Sequence, residues 1–196
     1  MSNLPDPGRF TDDPLSSYTL PGQYYFDSEI YKQEQKKIFY RTWQYACHVS
    51  RLGSAGSFFV RDIGDQSVVV VRSKDDSIRA FHNVCQHRAH RLLEGSGNVR
   101  SAIVCPYHRW TYELTGELRQ ALHSEEVKGF PISEICLSAV RAELFCGFVF
   151  INLDPDAEPL MTDLEGFEKE VLDLSPKVTE LTLDDERVIP LAANWK

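Results

Sequence analysis

The chain has 196 residues, enough for one well-packed domain or for a domain with an extension, and 42% of them are apolar, an ordinary share for a globular protein. Its formal net charge of −8 leaves no basic stripe for nucleic acid and little attraction to an anionic membrane. No apolar run approaches the roughly 20 residues needed to cross a bilayer, and the start lacks the apolar core of a signal peptide. We therefore expect a cytoplasmic protein that binds neither nucleic acid nor membrane. An acidic surface suits docking with a basic redox partner, although a charge excess more commonly marks a solvated surface.

Residues 1–25 are predicted to form an irregular arm, because proline and glycine recur through them. Asp27 or Ser28 can cap a helix over residues 28–42, whose apolar positions lie roughly on one face. From Gln44 the chain changes to short runs rich in Val, Phe and Ile with polar or glycine-containing breaks, which predicts antiparallel sheets. The predicted strands cover residues 44–49, 57–62, 67–72, 78–83, 102–104, 110–114, 117–119, 137–145 and 147–153.

The remainder of the chain is predicted to contain a helix over residues 163–174 and a strand over residues 180–190. We divide the chain into an arm (1–25), a domain (26–155) and a linker region (156–196). A turn at Asp75-Asp76-Ser77 makes the strands on either side a hairpin whose second strand leads directly to Cys85.

The chemistry of the chain centres on two short arms that each contain a cysteine and a histidine. The first arm is Cys85-Gln86-His87 and the second is Cys105-Pro106-Tyr107-His108, with residues 88–104 between them. Two thiolates and two imidazoles at this spacing suit a Rieske [2Fe–2S] cluster, in which one iron takes both sulfurs and the other both imidazoles. Both arms are expected at hairpin tips, where strand pairing can fix their separation.

The alternative for these four residues is a structural zinc site. Zinc arms usually place Cys two to four residues from Cys, or His three to five residues from His, so that each arm is of one kind. Both arms here are mixed, which favours the iron–sulfur cluster over zinc. The remaining cysteines, Cys47, Cys136 and Cys146, are expected to be free, packed thiols.

The high-potential version of the cluster is not expected. Respiratory Rieske proteins of the cytochrome bc type carry an extra cysteine in each arm and a serine two residues after the second histidine ligand. This chain has His90 and Tyr107 at the cysteine positions and Trp110 at the serine position. A reduction potential towards the lower end of the Rieske range, about −150 to +300 mV, is therefore predicted.

From about Tyr24 to its last residue the chain resembles the N-terminal Rieske domain of the α subunit of Rieske non-haem iron oxygenases, the aromatic-ring-hydroxylating dioxygenase type. The segment from Asn83 to His90 looks most like members that demethylate or hydroxylate betaines and related quaternary amines, and Arg109 departs from the expected Gly or Ala. The resemblance is carried by Phe39, Trp43, Tyr45, His48, Leu52, Asn83-x-Cys85-x-His87-Arg88, Cys105-Pro106-Tyr107-His108-x-Trp110-x-Tyr112, Gly116 and residues 146–153.

The resemblance implies an all-β Rieske fold of antiparallel sheets with an N-terminal helix and a short C-terminal helix. It implies cluster ligands at Cys85, His87, Cys105 and His108. It also implies an electron path from an NAD(P)H-linked flavin or iron–sulfur reductase, through the cluster, to a mononuclear Fe(II) that two His and one carboxylate hold in a catalytic domain. The resemblance further implies a homotrimer for the protein at full length.

Residues 190–196 resemble the opening of that catalytic domain, so we expect residues 156–196 to be a linker and a truncated start of it, and residues 1–196 not to oxygenate a substrate. A self-standing Rieske ferredoxin is the alternative. The other histidines lack the helical His-x4-His spacing of the family. His48 and His123 are expected to be packed or solvated, and His82 and His90 either shield the cluster or pack locally.

Overall fold

The computed structural model of the protein describes residues 6–124 and 126–196, and within them the chain is mainly β. This confirms the predicted all-β class of antiparallel sheets. The strands are β1 Gln44–His48, β2 Ser57–Ile63, β3 Gln66–Arg72, β4 Ile78–His82, β5 Ser96–Asn98, β6 Ile103–Val104, β7 Thr111–Tyr112, β8 Leu118–Gln120, β9 Ala139–Phe145 and β10 Phe148–Asn152. The helices are α1 Gln23–Phe26, α2 Ser28–Glu34, α3 Leu160–Asp163 and α4 Phe167–Leu174, with a π-helical turn at Gln35–Phe39 and 3-10 turns at Val49–Leu52, Ile132–Glu134 and Val178–Glu180.

The strands form two antiparallel sheets. The larger has the order β1-β10-β9-β4-β3-β2-β5, and the smaller has the order β6-β7-β8. The larger sheet curls, so that β1 and β2 approach each other and Arg61 Nε donates to the Tyr45 carbonyl at 3.1 Å. The second Cys/His arm lies at the tip of the β6–β7 hairpin, as predicted. The first arm lies in the loop between β4 and β5, which do not pair with each other, and this loop is closed only by the antiparallel bridge between Val84 and Arg91.

The middle of β3 is buried on both faces, and this explains its continuous run of valines. Val69 and Val71 belong to one apolar core, while Val68 and Val70 belong to another. Because side chains alternate along a strand, the two pairs point to opposite sides of the sheet. One core lies inside the curl. The other lies between the larger and the smaller sheet, where Ile103, Tyr112 and Leu118 of the smaller sheet pack.

The N-terminal helix begins where it was predicted and ends earlier. Asp27 accepts a hydrogen bond from the Glu29 N–H at 2.8 Å, an N-cap that satisfies one free donor of α2. The helical path then widens into the π-helical turn and ends at Phe39 rather than at residue 42. Of the predicted irregular arm, residues 1–5 lie outside the described residues, and α1 already begins at Gln23.

The C-terminal region departs from prediction at two points. The predicted helix over residues 163–174 is split, because Gly166 adopts a left-handed backbone (φ 81°) between α3 and α4. The predicted strand over residues 180–190 is wrong, since this stretch pairs with no strand of the described chain. It is instead held by side chains: the Ser50 hydroxyl accepts from the Leu183 N–H, and Arg51 pairs with Glu186.

The last residues contact the N-terminal helix. Lys196 Nζ lies 2.6 Å from Glu34 Oε1, and Trp195 Nε1 donates to Glu34 Oε2 at 2.9 Å. None of the described helices has the length and apolar character needed to span a membrane.

Candidate iron–sulfur centre

The two Cys/His arms adopt the same backbone pattern. In the first loop, residues 85–90, the Cys85 N–H donates to the His90 carbonyl at 2.8 Å and the Ala89 N–H donates to the Cys85 carbonyl at 2.9 Å. In the second loop, residues 105–110, the Cys105 N–H donates to the Trp110 carbonyl at 2.8 Å and the Arg109 N–H donates to the Cys105 carbonyl at 3.0 Å. Each cysteine is thus fixed by both of its backbone polar groups.

The fifth residue of each loop has a left-handed backbone. Ala89 has φ 54° and Arg109 has φ 59°. A side chain in this region is crowded against the backbone, and glycine avoids the penalty. The structure therefore explains why a small residue is expected at position 109 and shows that Arg109 occupies a strained position.

The two sulfur atoms lie together in the core between the sheets. Cys85 and Cys105 are 3% and 1% exposed, and the Cys85 thiol adds to the effect of burial in raising the pKa of Cys105. The Tyr112 hydroxyl lies 3.2 Å from Cys85 Sγ and accepts from the Gln86 N–H at 3.0 Å. The backbone N–H groups of Tyr107 and His108 point at the Cys105 sulfur. Burial raises the pKa of the Cys105 thiol and of the Tyr112 phenol.

The two imidazoles lie together at the surface above the sulfurs. The His87 and His108 ring centroids are 4.7 Å apart. His87 stacks on Trp110 at 4.8 Å with an interplanar angle of 14°, and Tyr107 packs against His108. Partial burial is the largest cause of the lowered pKa of His108, and the neighbouring His87 and Arg88 lower it further. A neutral imidazole is the form that can donate a lone pair to a metal.

The arrangement fits a binuclear cluster better than a single ion. His108 Nδ1 is buried and has no hydrogen-bond partner among the described residues, which is what a nitrogen reserved for a metal would show. The four side chains form a buried sulfur pair and an outer imidazole pair. These could hold the two irons of a [2Fe–2S] cluster.

Asn83 is a structural anchor of the first loop that spacing alone did not reveal. It is 2% exposed, and its carbonyl oxygen accepts from the Leu92 and Leu93 N–H groups at 3.2 and 2.9 Å. Its amide donates to the Leu93 carbonyl at 2.7 Å and to the Ser67 hydroxyl at 3.2 Å. The end of β4 is thereby tied to the chain that returns from the first loop.

The other candidate histidines do not join the quartet. His48 is buried and accepts from the Ser50 N–H, His82 is half-buried in β4, and His123 is exposed in a turn. His90 lies on the rim of the site, with its ring 5.4 Å from that of Tyr107, and its Nδ1 bonds the Arg91 carbonyl.

The other cysteines also lie outside the quartet. Cys47 and Cys146 are buried free thiols as expected, and burial raises the pKa of Cys47 to about 12. Cys136 is free but exposed, so the expectation that it is packed was wrong.

Comparison with known proteins gives a consistent family likeness. Residues 42–131 match the family model of the Rieske [2Fe-2S] domain. The chain is 39% identical over 200 residues to the carnitine monooxygenase oxygenase subunit of Escherichia coli K12, covering 100% of this chain and 54% of that protein. It is 32% identical over 183 residues to the glycine betaine monooxygenase oxygenase subunit of Pseudomonas aeruginosa UCBPP-PA14, covering 92% of this chain and 41% of that protein. The chain spans about half the length of the curated relatives it matches.

Solved structures show the same likeness. The quaternary ammonium Rieske monooxygenase CntA in complex with L-carnitine superimposes with a TM-score of 0.86 and 34% identity, covering 91% of this chain and 51% of that one. Naphthalene 1,2-dioxygenase with bound indole superimposes with a TM-score of 0.69 and 33% identity, covering 75% of this chain and 34% of that one. The fold and the sequence therefore point to one kind of domain.

Proposed function

Because this chain belongs to the family of Rieske oxygenase subunits, as its sequence resemblance predicted, we propose that Cys85, His87, Cys105 and His108 hold a [2Fe–2S] cluster through which the chain transfers one electron. When bound, such a cluster accepts and releases single electrons. The observation that carries the proposal is the division of the quartet into a buried sulfur pair and an outer imidazole pair, 4.7 Å between the rings.

The surrounding residues are suited to stabilise the additional negative charge of the reduced state. Donors directed at sulfur favour that state, and second-sphere hydrogen bonds of this kind tune the potential of a metal centre. Here the Tyr112 hydroxyl faces Cys85, and the N–H groups of Tyr107 and His108 face Cys105. The imidazole pair is the side of the centre that reaches the surface, since His87 is exposed while both cysteines are buried.

For the whole protein we propose an oxygenase α subunit that receives electrons from an NAD(P)H-linked flavin or iron–sulfur reductase and passes them to a mononuclear Fe(II). Residues 26–155 are the Rieske domain in this proposal, and residues 156–196 lead into a catalytic domain. The names of the relatives support quaternary amines as the substrate class. Inter-subunit electron transfer in a related quaternary ammonium Rieske monooxygenase supports an oligomer here, for which we propose a homotrimer. The free cysteines support the cytoplasm, a reducing compartment.

Metal analysis and spectroscopy of the purified protein test this proposal. We expect two irons and two acid-labile sulfides per chain, a red-brown colour and the EPR signal of a reduced Rieske cluster. His108→Ala should lose the cluster, whereas His123→Ala, in an exposed turn, should keep it. One zinc per chain without sulfide, or an unchanged spectrum in His108→Ala, would contradict the ligand assignment.

A further inference from the structure

The ring of His87 rests on one face of the Trp110 indole. The two ring centroids are 4.8 Å apart and the interplanar angle is 14°, so the rings are stacked. The other imidazole of the centre, His108, meets His87 at 70° and therefore does not support it face to face. The stack on Trp110 is thus the contact that can hold the plane of the His87 ring.

This contact takes the place of a hydrogen bond. The imidazole of a metal-binding histidine generally donates its second N–H to a nearby acceptor, and that bond fixes the orientation of the ring. His87 is exposed, and no group of residues 6–124 and 126–196 forms a hydrogen bond with its imidazole. A stacked ring supplies a comparable constraint, because aromatic rings prefer offset-stacked or edge-to-face contacts at centroid distances of about 4.5–7 Å.

Trp110 is itself fixed at its backbone and at its ring. Its carbonyl accepts from the Cys105 N–H at 2.8 Å, which ties it to the start of the second loop. Its side chain is 8% exposed and belongs to the core between the two sheets. The Phe130 ring packs against the indole in a T-shaped contact, at 5.8 Å and 86°. A side chain held in this way can serve as a rigid support.

The stack also joins the two loops at the level of the rings. His87 belongs to the first loop and Trp110 to the second. His108 packs instead against Tyr107 of its own loop, at 3.7 Å, and Tyr107 is 52% exposed. The support of His108 is therefore local and partly in solvent, whereas that of His87 is buried and comes from the opposite loop. Trp110 places His87 relative to the arm that carries Cys105 and His108.

We propose that Trp110 is a positioning residue of the iron–sulfur centre, which sets the plane of the His87 imidazole, and that Phe130 holds the indole in place. The inference rests on the proposed [2Fe–2S] cluster. Trp110 touches a ligand and not the iron, so it acts through His87. Outer contacts of this kind orient the ligands of a metal, and their loss typically lowers metal affinity by about 10- to 100-fold.

Pulsed EPR of the cluster-loaded chain, reduced with dithionite, tests the role of the indole. It measures the coupling of the unpaired spin to the coordinating nitrogen of each histidine, and the wild type should give two defined couplings. Trp110→Leu, which keeps an apolar side chain but removes the flat ring, should shift or broaden one of them, and an iron chelator should remove the cluster roughly tenfold faster. Trp110→Phe restores a ring that can stack and should return this coupling to its wild-type value.

Further variants separate orientation from packing. Tyr107→Leu removes the ring beside His108 and should alter the other nitrogen coupling only. Phe81→Leu removes a ring that is 3% exposed in the same core, and it should cost stability without altering either coupling. If Trp110→Leu does not fold, Phe130→Leu supplies the test, and it should shift the coupling that Tyr107→Leu leaves unchanged.

Three results would deny Trp110 a positioning role: two wild-type couplings in Trp110→Leu, an equal change in Phe81→Leu, or the same loss in Trp110→Phe as in Trp110→Leu. The last result would mean that Trp110 fills the core and does not orient the ring. A wild-type chain without acid-labile sulfide and without a Rieske EPR signal would instead overturn the proposed function itself, since no cluster would be present for His87 to bind.

Discussion

Tyr112 shows how one buried side chain can set the properties of the centre. It is fully buried, and its hydroxyl lies 3.2 Å from Cys85 Sγ and 3.0 Å from the Gln86 nitrogen. A phenol is protonated at neutral pH and burial raises the pKa of Tyr112 further, so the hydroxyl can donate to sulfur. A donor at this position stabilises the more negative, reduced state of the cluster.

Tyr112→Phe should therefore lower the reduction potential while leaving the fold intact. Loss of a hydrogen bond worth about 1 kcal/mol more in the reduced state corresponds to roughly 40 mV for a one-electron couple. Redox titration followed by EPR measures the shift. Tyr107→Phe, whose ring is half-exposed at the rim, is the matched control and should shift the potential little. An unchanged potential in Tyr112→Phe would show that its hydroxyl does not donate to the sulfur.

Asn83→Ala should destabilise the protein, because the Leu93 N–H would lose its acceptor and the Leu92 N–H would keep only the backbone carbonyl of residue 83, at 3.4 Å. An unsatisfied buried group costs about 1–3 kcal/mol, so a loss of roughly that size in the free energy of unfolding is expected. Ser67→Ala is the control, since the Asn83 amide keeps its bond to the Leu93 carbonyl. It should cost about 1 kcal/mol or less in denaturant titration. Equal costs for the two variants would contradict the role given to Asn83.

Residues of the candidate site can be predicted from the sequence when their partners lie close to them along the chain. The Cys/His arms could be predicted because each fits within a single loop. The stacking of His87 on Trp110 could not, because it joins the first loop to the second and depends on how the two approach each other. The orphaned nitrogen of His108 is likewise visible only once the rings are placed.

At the scale of elements, the alternation of apolar and polar residues predicted most of the strands. It failed for a strand that contains no apolar side chain. The strand β5 Ser96–Asn98 was not predicted, because it contains Gly97 and no apolar residue. Gly97 leaves room for the Phe58 ring, which would lie 3.2 Å from an added Cβ atom. The composition of residues 180–190 favours a β-strand. In the described structure no strand lies beside this stretch to form backbone hydrogen bonds with it, and composition alone does not show whether such a partner exists.

Arg109→Gly should stabilise the second loop. A non-glycine residue in the left-handed region costs about 1–2 kcal/mol, and the entropic cost of glycine is about 0.5–1 kcal/mol, so a net gain of roughly 0.5–1 kcal/mol remains. Arg88→Gly is the control, because Arg88 is not among the described residues with positive φ and should lose stability. Thermal unfolding of both variants, each with its cluster, measures the difference. A lower midpoint for Arg109→Gly would mean that the Arg109 side chain makes contacts that outweigh its backbone strain.

At the scale of the molecule, the two sheets give the centre a rigid base and leave only its imidazole edge open. The sulfurs sit in the core between the sheets with Ile103 and Tyr112, while His87 is exposed. A cluster held by Cys85, His87, Cys105 and His108 would exchange electrons through its imidazole edge and would leave no open iron position for O₂ and a substrate, which oxygen activation requires. Electron transfer and oxygenation therefore belong to different sites in the proposed oxygenase.

Residues 1–196 alone should accept an electron but leave a panel of quaternary amines unchanged. With a suitable reductase and NAD(P)H, absorbance should show the centre being reduced, while mass spectrometry should detect no demethylated or hydroxylated product. A chain that continues into a catalytic domain with two His and one carboxylate for Fe(II) should form product under the same conditions. Product from residues 1–196 with added Fe(II) and no other oxygenase would contradict this separation of roles. It would require a second iron site that includes some of the remaining histidines, His48, His82, His90 and His123.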